Sequence, residues 1–330
     1  MTAHSTQAFW TTGPLSGEIR PTDPDGSLAD ASGNPGPPMR LRSLYSGISR
    51  GTETLVFRGD VPVSQYQTMR APFQQGDFPW PVKYGYANVA EVLDGPDNLR
   101  GKAVFCLYPH QQEYRVPMEA VHPLPEGLPT RRAILAANME TAVNALWDAA
   151  PRVGDRIAVV GCGVVGLLVA WLANRIPGTR VTAIDINEAR REPAEALGLT
   201  FVTDESRDDH DMVIHASGKA EGLNKALSLL ATEGQVIEMS WYGSGKAPVT
   251  LGETFHSRRL TIRSSQVGQI NPQQQPRHSY RDRMTLALSL LKASELDVLI
   301  NAESAFEDLP RTLFELATGQ RDSLCHCIRY

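Results

Sequence analysis

The later part of the chain alternates between short apolar runs and longer amphipathic stretches. The apolar runs predict five strands, which are Arg156–Val160, Arg180–Ile186, Asp211–Ala216, Gln235–Ser240 and Leu260–Gln266. Amphipathic segments such as Glu221–Leu230 separate them, with apolar residues at helical spacing. This alternation of strand and helix predicts a parallel sheet that is covered by helices on both faces.

The earlier part of the chain has short strands that are broken by turn residues. Met39–Ser46 alternates between apolar and polar side chains, and Val89–Leu93 and Ala103–Leu107 are further strand candidates. Pro21–Pro38 is rich in Gly, Pro, Asp and Ser and predicts an exposed loop, and Gln74–Val82 predicts a second loop. Short strands with frequent turns predict a compact, barrel-like β domain.

Between and after these regions the pattern is helical. Ala133–Ala149 has apolar residues at helical spacing and contains neither Gly nor Pro. Near the end of the chain, helices are predicted at about Arg281–Lys292 and Pro310–Thr318, followed by a closing strand. A chain of 330 residues has the length of two ordinary domains. We therefore expect an α/β protein with two domains.

A glycine-rich turn joins the first parallel strand to an apolar helix. It reads Gly161-Cys162-Gly163-Val164-Val165-Gly166 and directly follows the apolar run IAVV. The first glycine permits a tight turn, the second lets a pyrophosphate approach the backbone, and the third lets helix and strand pack closely. The helix N-terminus offers free N–H groups to the phosphates. The turn therefore predicts dinucleotide binding by Gly161, Gly163, Val164, Val165 and Gly166.

An acidic residue, Asp185, ends the second parallel strand. A carboxylate about 20 residues after the motif accepts hydrogen bonds from the adenosine ribose and repels a 2′-phosphate. This favours NAD over NADP as the cofactor. Arg190 and Arg191 follow closely and keep NADP open as an alternative. The other interpretation of Asp185 is that it only caps the next helix.

Composition and charge exclude several classes of function. The net charge is −5 and the pI about 5.9, without the basic stripe of a nucleic-acid binder or a Lys/Arg-rich run for anionic membranes. The apolar run Ile157–Ala173 is short for a bilayer span of about 20 residues and carries three glycines, so a buried strand-turn-helix explains it better. We expect neither nucleic acid nor membrane as a partner.

The four cysteines are too few and too unevenly spaced for a disulfide framework. The N-terminus lacks a signal-peptide pattern, so we predict a reducing, cytoplasmic location. Cys162 is interpreted as a small buried residue rather than a reactive thiol. Cys325-His326-Cys327 is not expected to bind metal, because on a strand the two thiols and the imidazole face opposite sides.

Three further segments carry a family resemblance. Leu44–Glu53 reads LYSGISRGTE, Gly85–Val92 reads GYANVAEV, and Ala137–Leu146 reads ANMETAVNAL. Together with the glycine-rich turn, they resemble segments of the medium-chain dehydrogenase/reductase superfamily, which includes the zinc-type alcohol dehydrogenases. The resemblance implies a nicotinamide-dependent oxidoreductase that acts on a small-molecule alcohol or ketone, and a homodimer.

The same resemblance implies the domain organisation. A GroES-like catalytic domain is expected over residues 1–132, and a Rossmann dinucleotide-binding domain over residues 133–270. Residues 271–330 are expected to form a C-terminal segment that returns to the catalytic domain. The substrate is expected to bind between the two domains.

The resemblance also locates the positions at which the superfamily binds catalytic zinc. Ser49, Tyr86 and Ala137 stand where the superfamily has a cysteine, a histidine and a cysteine, and Ala87 replaces a glutamate beside the metal. Zinc requires cysteine, histidine or carboxylate donors, and the four-cysteine structural lobe is also missing. We therefore predict no zinc. The segments SGISRGTE and GY resemble a zinc-lacking branch that includes hydroxyethyl-bacteriochlorophyllide dehydrogenase, which oxidises a secondary alcohol; this supports a reaction type only.

Further cofactor contacts follow from the matched positions. Arg50 occupies a place where the superfamily often sets an arginine against the pyrophosphate, and Thr141 resembles a threonine that lies near the nicotinamide. A solvated surface position is the alternative for Arg50. Ligands of open α/β sheets bind beyond the carboxyl ends of the strands. The residues predicted there are Ala216, Ser217, Gly218, Ser240 and Trp241.

Without zinc, a side chain must exchange the proton of the alcohol or polarise the ketone. Tyr86 is the first candidate, and its ordinary pKa near 10 favours a neutral hydrogen-bond donor over a base. Ser49 and Thr52 are candidates for passing the proton on. The alternatives are a packing role for Tyr86 and turn or capping roles for Ser49 and Thr52. Glu53 and Glu140 are equally consistent with the surface and are not placed in the reaction.

Two other functions remain open at this point. The chain is also consistent with a reductase of an activated C=C bond or a quinone that uses NADPH, although Asp185 argues against this. It is also consistent with a dinucleotide-binding protein without catalysis, since loss of a metal site can accompany loss of activity.

Overall fold

The structure, a computed structural model, describes residues 6–24 and 38–330. Most of the predicted loop Pro21–Pro38 lies outside these residues. The chain forms two compact units. The first unit consists of residues up to Ala137 together with Ile300–Tyr330, and the second consists of Asn138–Leu299.

Among the described residues, the first unit begins with nine strands and one α-helix. The strands are β1 (Thr6–Gly13), β2 (Ser16–Thr22), β3 (Met39–Ile48), β4 (Gln75–Gly76), β5 (Val82–Lys83), β6 (Asn88–Asp94), β7 (Ala103–Cys106), β8 (Glu113–Val116) and β9 (Val121–Pro123). The helix is α1 (Arg50–Arg58), which ends at Gly59 in the left-handed conformation. Sequence analysis predicted β3, β6 and β7 but not β1, β2 or α1.

The second unit alternates strands and helices as predicted. Its strands are β10 (Arg156–Val160), β11 (Arg180–Ile184), β12 (Thr200–Val202), β13 (His210–His215), β14 (Leu230–Glu238) and β15 (Thr261–Ser264). Its helices are α2 (Ala136–Ala149), which begins at the end of the first unit, α3 (Val164–Ala173), α4 (Arg191–Ala196), α5 (Ala220–Ser228), α6 (Thr254–Ser257) and α7 (Tyr280–Leu290). The chain then returns to the first unit with β16 (Ala302–Ala305), α8 (Leu309–Ala317) and β17 (His326–Arg329).

Sheet topology distinguishes the two units. The first has a seven-stranded sheet in the order β16-β17-β3-β6-β7-β9, with β8 paired to β3, and a four-stranded sheet in the order β2-β1-β5-β4. The second has a parallel sheet in the order β12-β11-β10-β13-β14-β15. This is the doubly wound order of dinucleotide-binding sheets, in which the first strand lies at the centre. The predicted α/β class is confirmed.

The C-terminal segment is divided between the units. Residues 300–330 join the first unit because β17 pairs antiparallel with β3, and Phe306 and Leu313 pack into a core cluster with Phe57 of α1. Residues 271–299 stay with the second unit. The buried Arg283 of α7 holds this segment to the second unit, because it donates hydrogen bonds to Glu140 and Asn144 of α2.

The apolar run Ile157–Ala173 forms β10, the glycine-rich turn and α3. Across the two described ranges, no helix combines the length and the apolar character that a bilayer crossing requires.

All four cysteines are buried free thiols. The Nε2 atom of His326 lies 2.8 Å from the hydroxyl of Ser304.

Candidate functional site

In the first unit, the structure brings the three predicted catalytic residues together. Ser49 lies between β3 and α1, and Tyr86 lies between β5 and β6. The Tyr86 hydroxyl donates a hydrogen bond of 2.6 Å to Ser49 Oγ, and the Thr52 hydroxyl is a second polar neighbour. The Tyr86 side chain is partly exposed. The structure therefore holds the Tyr86 hydroxyl in direct contact with a second hydroxyl.

The protonation state of Tyr86 is set by its surroundings. Burial of the hydroxyl and the nearby charge of Glu53 raise the pKa of Tyr86, while hydrogen bonds to Ser49 and Thr52 lower it, and the result is about 12. A phenol with this pKa is neutral at physiological pH. Tyr86 is therefore suited to donate a hydrogen bond or a proton rather than to act as a base.

Behind Tyr86 lies a buried pair that sequence analysis did not place. Glu53, 4% exposed, accepts a hydrogen bond of 2.7 Å from the Ser49 backbone N–H, and its other oxygen lies 2.8 Å from His110 Nε2. His110 Nδ1 is 2.7 Å from Ser46 Oγ. The surface interpretation of Glu53 is wrong, because α1 turns this side chain inward. The surface interpretation of Glu140 is wrong as well, because it lies 3.1 Å from Arg283 and is buried.

The other predicted positions of the first unit have simpler surroundings. Arg50 donates to Asp322 at 2.7 Å and to the Ser323 carbonyl at 3.2 Å. Its side chain is 41% exposed, so it forms a surface ion pair. Ala87 and Ala137 are buried. Their methyl groups offer no lone pair to a ligand.

In the second unit, the glycine-rich turn has the geometry predicted for it. Gly161 has φ +102°, and a Cβ there would lie 2.5 Å from the Ser217 backbone nitrogen. A Cβ on Gly166 would lie 1.9 Å from the Gly161 carbonyl oxygen, whereas one on Gly163 would meet nothing within 4 Å. The outer two glycines are thus required by packing. The middle one faces open space beside the N-terminus of α3, which begins at Val164 and Val165.

Asp185 follows β11 and ties the glycine-rich turn to this strand end. One carboxylate oxygen accepts a hydrogen bond of 2.7 Å from the Cys162 N–H, and the other accepts one of 2.9 Å from the Asn187 N–H. The Asn187 side chain, not that of Asp185, accepts the N-cap bond from Ala189 N–H. The interpretation of Asp185 as only a helix cap is therefore wrong. Each oxygen accepts one described bond and has a further lone pair.

Two neighbours of Asp185 bear on the choice of cofactor. The Arg191 guanidinium is held by Glu188 and Glu195 and lies over the Phe201 ring. Ile186, adjacent to Asp185, is 94% exposed and was not predicted as a site residue. An exposed apolar side chain beside a predicted ribose ligand is a candidate contact for the cofactor. The sequence alone could not indicate this, because the exposure of Ile186 is known only from the structure.

The predicted strand-end residues lie at the carboxyl ends of β13 and β14. Ala216, Ser217 and Gly218 follow β13, and the Gly218 N–H donates to Ser240 Oγ at 3.1 Å. Ser240 and Trp241 follow β14 and are partly exposed. Thr141 lies within α2 and is also partly exposed.

Comparisons with known proteins agree with this fold and these motifs. A family model described as zinc-binding dehydrogenase matches residues 164–292. (R,R)-butanediol dehydrogenase from Bacillus subtilis (strain 168) is 24% identical over 274 residues, which is 69% of this chain and 75% of that protein. The crystal structure of 2R,3R-butanediol dehydrogenase from Bacillus subtilis superposes with a TM-score of 0.73 at 19% identity, covering 98% of this chain and 99% of that chain.

Residues 164–292 thus match the zinc-binding dehydrogenase family, and the chain as a whole resembles the medium-chain dehydrogenase/reductase superfamily in sequence and fold. It is a nicotinamide-dependent oxidoreductase of small molecules. Two similar structures contain a cofactor: an alcohol dehydrogenase from Escherichia coli CFT073 with NADH, and a zinc-binding dehydrogenase from Sinorhizobium meliloti 1021 with NADP. Both have a TM-score of 0.76 and cover 99% of each chain, at 13% and 17% identity respectively.

Proposed function

We propose that this protein transfers a hydride between NAD(H) and a small-molecule alcohol or ketone without a catalytic zinc ion. The observation that carries the proposal is the protonated Tyr86 hydroxyl, hydrogen-bonded at 2.6 Å to Ser49 at positions where the superfamily has metal ligands. In this proposal the hydroxyl groups of Tyr86 and Ser49 do the work that the metal ion does in zinc-dependent members of the superfamily.

The donor set does not fit zinc. A serine hydroxyl, a tyrosine hydroxyl that stays protonated and an alanine methyl replace the thiolate and imidazole donors that zinc prefers. Glu53, which contacts the Ser49 backbone N–H, and His110 are both buried, and they are hydrogen-bonded to each other at 2.8 Å. We therefore derive no step through a metal ion.

In the direction of reduction, the Tyr86 hydroxyl turns its hydrogen from Ser49 Oγ to the ketone oxygen, while the Ser49 hydroxyl donates its own hydrogen to the tyrosine oxygen. Tyr86 then gives its proton to the ketone oxygen as the carbonyl carbon is reduced. Ser49 and Thr52, the polar neighbours of Tyr86, return a proton to it from solvent. In the direction of oxidation, the same proton moves the opposite way. NAD(H), when bound, supplies or accepts the hydride.

The second unit supplies the cofactor residues in this proposal. Gly161, Gly163 and Gly166, with the N–H groups at Val164 and Val165, are suited to a pyrophosphate. Asp185 has lone pairs for the adenosine ribose, and the exposed Ile186 offers an apolar face to the adenine ring. The engagement of Arg191 with two carboxylates supports NAD over NADP, because it leaves this arginine poorly placed for a 2′-phosphate.

Metal analysis tests the zinc-independent part. We expect purified protein to contain far less than one zinc ion per chain, and we expect a chelator to leave turnover unchanged, because no suitable donors stand at the three positions. Elemental analysis by mass spectrometry and turnover before and after chelation provide the measurements. One zinc ion per chain, together with activity that is lost on its removal and restored by its return, would contradict the proposal.

Cofactor titration tests the choice of NAD. We expect the wild type to bind NADH more tightly than NADPH, and Asp185→Ser to lower NADH affinity roughly tenfold while raising NADPH affinity, because it removes both the ribose acceptor and the repulsion of a 2′-phosphate. Binding is followed by the fluorescence of the reduced nicotinamide. Glu192→Gln, an exposed carboxylate of the same unit, is the control and should change neither affinity. A wild type that prefers NADPH would favour the alternative of an enone or quinone reductase.

The cytoplasmic location and the homodimer remain predictions. The first rests on cysteine usage, and the second on the family resemblance.

A further inference from the structure

A hydrogen-bonded network links the carboxyl ends of β13 and β14 in the second unit. His215, fully buried at the end of β13, lies with Nδ1 at 2.7 Å from Glu238 Oε2 and with Nε2 at 2.6 Å from Ser217 Oγ. Glu238 ends β14 and also accepts hydrogen bonds from the Ser240 N–H at 2.7 Å and the Tyr242 hydroxyl at 2.9 Å. Neither His215 nor Glu238 was singled out by the sequence.

The direction of each bond follows from the chemistry of its partners. Burial favours the neutral acid, but hydrogen bonds from His215 and Ser240 outweigh it and lower the pKa of Glu238. An ionised carboxylate only accepts hydrogen bonds, so Nδ1 of His215 carries a hydrogen. With a neutral ring, Nε2 then accepts the hydrogen of the Ser217 hydroxyl. A charged carboxylate thereby determines the orientation of Ser217 through the imidazole.

The serine, histidine and carboxylate are arranged like a nucleophilic triad, but the serine is not presented to a substrate. Its oxygen accepts a hydrogen bond of 3.2 Å from the Lys219 N–H. A Cβ on Gly222 of α5 would lie 2.2 Å from Ser217 Oγ and 2.7 Å from His215 Nε2, so the helix backbone covers this hydrogen bond. A structural role for the hydroxyl therefore fits better than nucleophilic attack.

Ser217 is in turn part of the support for the glycine-rich turn. Its backbone nitrogen lies so close to Gly161 that only glycine fits there. The Gly218 N–H donates to Ser240 Oγ, which joins the loop after β13 to the loop after β14. The network thus holds two strand-end loops and one side of the dinucleotide turn together.

The order of the strands indicates which half of a dinucleotide this concerns. Asp185, the proposed ribose ligand, follows β11 on one side of the central strand β10, whereas β13 and β14 lie on the other side. A dinucleotide spans both halves of such a sheet. With the adenosine at Asp185, the nicotinamide half lies over the ends of β13 and β14.

We propose that His215 and Glu238 are positioning residues for the nicotinamide half of the dinucleotide. They act through Ser217 and Ser240, whose loops they hold in place, and they do not touch the reacting atoms. This inference rests on the proposed function, because it requires the chain to bind NAD(H) in the orientation that Asp185 indicates.

Binding of NADH and of ADP, measured on the full chain, separates this role from a general loss of structure. We expect His215→Asn and Glu238→Gln to raise the Kd for NADH roughly tenfold and to change the Kd for ADP less than about twofold, because ADP lacks the nicotinamide half. The matched control is His210→Asn. His210 is a buried histidine at the other end of β13, with Nδ1 at 3.2 Å from the Leu229 carbonyl oxygen, and its variant should change neither Kd.

Ser217→Ala provides a second measurement, which does not depend on the folding of the variants at buried positions. This variant should also weaken the binding of NADH more than the binding of ADP. The positioning role would be overturned if His215→Asn left the NADH affinity unchanged, or if it weakened the binding of NADH and of ADP equally. Should the His215 and Glu238 variants not fold, equal NADH affinity in Ser217→Ala and the wild type would overturn it. A wild type that binds ADP but not NADH would defeat the proposed function itself, and the two failures are thus distinguishable.

Discussion

We expect Tyr86→Phe to lower turnover by roughly 10²–10⁴-fold while NADH affinity stays unchanged. The substitution removes the hydroxyl that bonds to Ser49 and keeps the ring, which forms an edge contact with Tyr84 at a centroid distance of 6.0 Å. Steady-state kinetics on a panel of secondary alcohols and ketones provides the measurement, together with an NADH titration. Because the pKa of Tyr86 is about 12, we also expect no fall in the rate of ketone reduction from ionisation of this group at neutral pH.

Tyr84→Phe is the matched control for this prediction. Tyr84 is the buried partner in the same ring contact, and it lies outside the hydrogen bond between Tyr86 and Ser49. Its variant should keep turnover close to that of the wild type. Turnover in Tyr86→Phe equal to that of the wild type, with intact NADH binding, would remove Tyr86 from the proton transfer.

The second large effect concerns stability and its dependence on pH. Lys83 of β5 is fully buried, and its amine donates to Gln111 Oε1 at 2.5 Å and to the Tyr108 hydroxyl at 3.5 Å, both of which are neutral. Burial lowers the pKa of Lys83 from 10.5 to about 7. In the unfolded chain the amine has its ordinary pKa, so the unfolded state binds more protons between pH 7 and pH 10.5.

The contribution of Lys83 to the free energy of unfolding should therefore rise with pH across this window, and it is read from the difference between the wild type and a variant without this amine. The slope of this contribution is at most about 1.4 kcal/mol per pH unit, and its total is on the order of 5 kcal/mol. Lys83→Met should abolish this contribution and stabilise the protein at neutral pH, since the methionine carries no charge to be buried. Urea unfolding at several pH values measures both effects. Lys102→Met, at an exposed position, is the control and should keep the slope of the wild type. Equal slopes in the wild type and Lys83→Met would contradict the prediction.

The second unit was largely predictable from local patterns. β10 has the predicted bounds, and β11 and β13 differ from the prediction by at most two residues at either end. Here strand, glycine-rich turn and helix follow one another directly in the sequence, so the pattern of apolar residues carries the information. The short strand β12 was missed, because three residues are too few to show a period.

In the first unit, local patterns were less informative. α1 was not predicted, because the segment that forms it was interpreted through its resemblance to a metal-ligand segment. Its helical structure turns Glu53 into the interior, where it meets His110 from far along the chain. A periodic pattern reports on which side of an element is buried but not on which distant residue it meets, so this pair had no signal in the sequence.

The sequence by itself determined the class of fold. It also predicted the dinucleotide turn with Asp185 after the neighbouring strand and, through the family resemblance, the replacement of the metal donors by Ser49, Tyr86 and Ala137. These features depend on the identity of residues and on their spacing over short distances, both of which can be seen directly in the sequence. Only the tertiary structure decided that Tyr86 is held neutral beside Ser49 and Glu53, and that His215 and Glu238 meet at two strand ends. The physical reason is that burial and hydrogen-bond partners depend on which strands and helices pack together, and packing joins residues that no local pattern relates.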